Sequence, residues 1–81
     1  LNEERRNELS KLASKYAEEN KISIRNTRRE FIDDLKKDKK ENNLSEDDLK
    51  KYTDNIQKIT DKFVKEIDEI LKNKQDEIMK V

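Results

Sequence analysis

Residues 40–49 read KENNLSEDDL, and this short stretch decides the fold. Apolar periodicity stops across Lys40-Glu41-Asn42-Asn43, and the residues after it carry the signals of a helix start. Ser45 can accept a hydrogen bond from the backbone N–H three residues on, Asp48 stands where a capping-box acid reaches back, and Leu44 can staple onto Leu49 across the first turn. The box prefers Glu or Gln at its third position, so Asp48 makes a weaker version of it. One helix therefore ends near Lys40, a polar loop covers about 41–45, and a second helix runs from about 46 to 80.

Working back from the break, the first helix is expected over about 2–40, with Asn2 as N-cap and Glu3 and Glu4 in the favourable first turn. Glycine and proline are both absent, so nothing interrupts either segment. At a rise of ~1.5 Å per residue the two rods are roughly 55–60 Å and about 50 Å long. Rods of similar length joined by a short loop pack as antiparallel neighbours, which makes the chain an all-α two-helix hairpin.

The apolar spacing refines this expectation. Ile56, Ile67 and Ile78 recur every 11 residues, as do Ile59, Ile70 and Val81, with Tyr52 and Phe63 as a third row. Ala13, Ile24 and Leu35 repeat the pattern in the first helix, and Leu9 and Phe31 stand at twice the interval. An 11-residue period gives about 3.67 residues per turn and favours nearly straight or slightly right-handed packing over the left-handed supercoil of a heptad dimer. Val64 and Leu71 add a second apolar edge, which widens the stripe beyond what one facing helix covers. The 81 residues thus read as a single partial domain, two helices of a three-helix bundle, completed by a further helix upstream or by self-association. A start at Leu1 rather than methionine fits a fragment of something longer.

Composition excludes several function classes. Leu, Ile, Val and Phe make up 19 of 81 residues, close to the range in which a highly charged chain does not fold. Yet 20 basic and 20 acidic residues balance to zero, so self-repulsion is no obstacle, and the capping signals and 11-residue repeats contradict disorder. Histidine and cysteine are both absent, which removes the commonest general bases, nucleophiles and transition-metal ligands. Acidic pairs such as Asp33-Asp34 and Asp47-Asp48 are sequence neighbours that point to different helix faces. No catalytic residue, metal site or cofactor is expected. Nor does any apolar run approach the roughly 20 residues that span a bilayer.

The arginines are the one asymmetry. All five (Arg5, Arg6, Arg25, Arg28 and Arg29) lie in the first 29 residues, where eight basic and five acidic side chains give a local net of +3. Arg6 and Arg28 are 22 residues apart, twice the 11-residue period, so they share one angular position beside the core seam. Arg25 falls within an arc of roughly 100° of both, and the strip so formed is about 30 Å long. Such arginines could simply pair with nearby acids, each exposed pair contributing little. Fifteen lysines cover the rest of the surface, however, and the planar guanidinium fork suits bidentate contact with phosphate. Structured RNA is the natural partner for a straight rod bearing such forks, because an A-form helix is recognised through backbone and shape.

Glu3-Glu4-Arg5-Arg6, Ile24-Arg25-Asn26-Thr27-Arg28-Arg29-Glu30, Leu44-Ser45-Glu46-Asp47-Asp48, Ile59-Thr60-Asp61-Lys62-Phe63 and Lys65-Glu66-Ile67-Asp68 together resemble the carboxy-terminal half of the ribosome recycling factor family. The resemblance implies a long three-helix bundle with a small β-rich domain inserted between its first and second helices, of which this chain supplies helices two and three. It also implies binding to the post-termination ribosome through large-subunit ribosomal RNA. With elongation factor G and GTP, the ribosome would then be split into subunits in the cytoplasm of a bacterium or in an organelle. The family's RNA-contacting arginines map onto Arg6, Arg25 and Arg28, with Arg29 beside them. The hairpin alone would be inactive in recycling and would tend to self-associate. Two other readings remain open at this level: a purely structural hairpin module, and the transfer-RNA-binding helical arm of a synthetase.

Overall fold

The computed structural model describes residues 1–80. Two helices, α1 (Glu3–Lys40) and α2 (Glu46–Met79), lie antiparallel and form a rod 61 Å long in its greatest extent. This is the all-α hairpin that the sequence predicts, with no strand among the described residues.

Each boundary has a local cause. At the start of α1 the Asn2 side chain accepts from the Arg5 N–H at 2.7 Å, filling one of the donors a helix leaves open. Its other end closes in a Schellman arrangement, with the Asn43 N–H donating to the Asp38 carbonyl at 2.9 Å and the Asn42 N–H to Lys39 at 3.0 Å. Asn42 takes φ 63, the left-handed conformation this cap needs and one that asparagine tolerates better than most residues. Ser45 then caps α2 by accepting from the Asp48 N–H at 3.1 Å. The reciprocal half of the capping box is not formed among the described residues, consistent with Asp48 being one methylene shorter than the preferred Glu. A Lys39–Glu46 ion pair of 2.9 Å ties the two helix ends across the loop.

The 11-residue period appears directly in burial. On α1 the buried and half-buried residues are Arg6, Ser10, Ala13, Ala17, Lys21, Ile24, Arg28, Ile32, Leu35 and Lys39, in repeating steps of 4, 3 and 4, with Leu9 beside them. On α2 they are Leu49, Thr53, Ile56, Thr60, Val64, Ile67, Leu71, Gln75 and Ile78, in the same rhythm. Equal periods on both partners let the seam run the whole length of two nearly straight helices. Among the described residues only Ala17 and Thr60 are buried outright, and the Thr60 hydroxyl donates to the Ile56 carbonyl at 2.8 Å, so its polar group is satisfied.

In two respects the structure departs from the apolar rows of the sequence. Val64 and Leu71, expected to form an edge for a further helix, instead pack in the seam between α1 and α2. The open surface is made by Tyr52, Ile59, Phe63 and Ile70 with Tyr16 and Phe31 of α1; Ile70 is 61% exposed and Phe31 56%. The reason is rotational. At about 98° per residue, the seam on α2 is centred on the Leu49-Thr60-Leu71 line, and Phe63 and Ile59 sit some 65° and 98° round from it, past the reach of a single partner helix. Val81, the last member of the Ile59-Ile70 row, lies outside the described residues.

Candidate nucleic-acid interface

The seam divides the hairpin into two unlike sides. One carries an apolar groove of about 1010 Å³, lined among others by Phe31, Leu35, Tyr52, Ile59, Phe63 and Ile67. The other side is polar and holds the bonds that join the helices. There Lys21 reaches Asp68 at 2.8 Å, Gln75 donates to the Ser10 carbonyl at 3.2 Å and the Ser14 hydroxyl at 2.7 Å, and Arg28 reaches Gln57 at 3.0 Å.

Arg6 and Arg28 share one line of α1 with Ala17 and Lys39, each 11 residues from the next, and both are half-buried. Their separation along the axis is about 33 Å at ~1.5 Å per residue. Arg25 and Arg29 are exposed and lie about 65° and 98° round from that line, on the polar side. Thr27 and Phe31 turn the opposite way, into the groove. The four arginines thus occupy one sector of α1, from the seam line, where Arg28 also borders the groove, to the polar side.

Their bonding differs from that of the four paired cations, Arg5, Lys21, Lys39 and Lys74. Arg5 pairs with Glu8 at 3.2 Å, and Lys21, only 16% exposed in its side chain, pairs with both Asp68 and Glu18 at 2.8 and 3.5 Å. The hydrogen bond to Asp68 holds the Lys21 ammonium above its ordinary value of 10.5, against a partial desolvation that pulls the other way. Among the described residues, by contrast, none of Arg6, Arg25, Arg28 and Arg29 forms an ion pair with a carboxylate. Arg29 Nη1 has only the Asn26 side-chain oxygen at 3.5 Å. Arg28 Nη1 donates to Gln57 Oε1 at 3.0 Å, Gln57 Nε2 donates to Asp61 Oδ1 at 2.9 Å, and the Arg28 Nε–H is buried without an acceptor. Full positive charge on a rigid helix, left without counter-charge, is the arrangement that attracts a polyanion.

The amide and carboxylate behind Arg28 are not apparent from the charge pattern. A signal for the second of these bonds exists, since Gln57 and Asp61 are four apart on one helix and such pairs meet on its surface. The bond between Arg28 and Gln57 spans 29 residues and depends on the antiparallel register, which spacing alone does not give. Among the described residues no group of three metal-ligating side chains comes together, and no helix is long and apolar enough to cross a membrane.

Comparison with known proteins places these features in context. The family model described as ribosome recycling factor matches residues 1–79. The ribosome-recycling factors of Bacillus mycoides (strain KBAB4) and Bacillus thuringiensis (strain Al Hakam) are each 56% identical to the chain over all 81 of its residues. That of Bacillus cereus (strain B4264) is similar to the same degree. The chain spans 44% of the length of these curated relatives.

Proposed function

Because the chain belongs to the ribosome recycling factor family, we propose that its hairpin is the RNA-contacting arm of a longer translation factor that binds the post-termination ribosome. Arg6, Arg25 and Arg28, flanked by Arg29, grip phosphates of large-subunit ribosomal RNA. The rest of the factor, acting with elongation factor G and GTP, couples that grip to separation of the subunits in the bacterial cytoplasm. The hairpin's own part is binding, with no covalent step.

One observation carries this reading: four of the chain's five arginines gather in one sector of α1, where none has a carboxylate partner among the described residues. The apolar groove supports the same picture from the other side. In the longer factor a further helix covers Phe31, Tyr52, Ile59 and Phe63, which turns the arginine sector outward. In isolation a second hairpin takes that place, because a seam whose large apolar side chains are only half-buried covers too little apolar surface to hold the fold alone.

The test uses the full-length protein with post-termination ribosomes, elongation factor G and GTP, following subunit separation by light scattering. Replacing Arg25 and Arg28 together with alanine is expected to weaken ribosome binding by about thirtyfold or more, at roughly 1–3 kcal/mol per lost charged contact. Unchanged splitting at limiting factor concentration, with unchanged affinity for large-subunit RNA, overturns the assignment.

A further inference from the structure

Two half-buried cations project from the same face of α1, seven residues apart, and the hairpin treats them differently. Lys21 is neutralised by Asp68 and Glu18. Arg28 is met by an amide, Gln57, and the nearest carboxylate in that chain of bonds, Asp61, contacts the amide and not the guanidinium. A glutamate at position 57 would make a stronger bond to Arg28 and would cancel its charge. The amide does something a carboxylate cannot: it fixes the guanidinium through Nη1 and leaves the charge whole.

Asp61 completes the device. A free glutamine amide can present either its oxygen or its nitrogen, and only the oxygen accepts from arginine. By accepting from Gln57 Nε2 at 2.9 Å, Asp61 turns Oε1 toward Arg28. Along α2 the pair is four residues apart, the spacing at which side chains meet on a helix, so α2 presents a ready-oriented acceptor. The Arg28 Nε–H is buried with no acceptor, so Gln57 is the one hydrogen-bond anchor of the guanidinium among the described residues. We infer that Gln57, backed by Asp61, is a positioning residue that orients Arg28 for phosphate while preserving its charge, an inference that rests on the RNA-binding reading above.

The experiment is a double-mutant cycle on the full-length protein, read as affinity for large-subunit ribosomal RNA at fixed salt, with melting temperature alongside. Gln57 is exposed, so its replacement leaves the fold intact. Gln57→Leu is expected to weaken binding about five- to tenfold, the worth of one oriented charged hydrogen bond. In an Arg28→Ala background the same change should have no effect. Gln57→Glu should weaken binding more than Gln57→Leu, because its carboxylate both neutralises Arg28 and repels phosphate; a merely structural role would make this near-isosteric change the milder one. Positioning is overturned if Arg28→Ala weakens binding while Gln57→Leu does not, if Gln57→Leu acts equally in both backgrounds, or if Gln57→Glu binds as well as wild type. If Arg28→Ala itself leaves affinity unchanged, both the positioning role and the RNA-binding reading fall together.

Discussion

Arg28→Met separates what this side chain does for the fold from what it does for a partner. In the seam Arg28 makes one hydrogen bond, to Gln57 at 3.0 Å, worth about 1 kcal/mol net at a surface position. Against it stands the buried Nε–H without an acceptor, which at about 1–3 kcal/mol of desolvation more than offsets that bond. Methionine is unbranched, keeps most of the apolar stem and carries no donor to leave unsatisfied. Its introduction should therefore stabilise the fold by roughly 0–2 kcal/mol. For a domain of this size ~1 kcal/mol moves the melting temperature by about 4–8 °C, so a rise of up to roughly 15 °C is expected in circular-dichroism melts at fixed protein concentration. RNA binding should move the other way, with the salt-dependence slope smaller by about 0.7–0.9 for the lost phosphate contact. A variant that melts well below wild type would show that Arg28 holds the hairpin together. One that melts higher yet binds RNA with an unchanged slope would show that the arginine touches no phosphate.

Three further outcomes follow from the geometry. Ser45→Ala removes the α2 cap and should destabilise the fold by about 1 kcal/mol in urea unfolding, whereas Ser45→Asp should be nearly neutral. Asn42→Val places a β-branched residue at φ 63 and should cost about 1–2 kcal/mol in the same assay, while Asn42→Gly should match or exceed wild type. The Lys21 ammonium, held above 10.5 by Asp68, favours the folded state fully below that value and ceases to do so as pH rises through the higher folded value. The melting temperature of wild type should accordingly fall more steeply than that of Lys21→Met above pH ~10.5, and identical profiles would deny the pair any role.

Much of the hairpin was legible in the sequence because its signals are local. The Asn42-Asn43 break, the Ser45 cap and the lack of glycine and proline set the helix limits, and the 11-residue rows set the rhythm of the seam. The division of the apolar residues between seam and open groove was not legible. Phe63 and Val64 are equally apolar neighbours, and which faces α1 depends on the rotation of α2 about its axis. Polar residues at seam positions, Arg28, Thr60 and Gln75 among them, break the rule that apolar rows mark the contact. Arginine placement could be read from spacing, since Arg6 and Arg28 differ by two full periods. The anchor on Gln57 could not, because it joins residues on different helices whose register is set by the loop and the packing.

The most direct measurement is the dependence of large-subunit RNA affinity on salt for the full-length protein, with and without Arg6, Arg25 and Arg28 replaced together by alanine. Three phosphate grips predict a log–log slope shallower by about 2–3 in the triple variant, with affinity converging toward that of wild type at high salt. Parallel lines of equal slope would contradict a charged strip that holds the phosphate backbone.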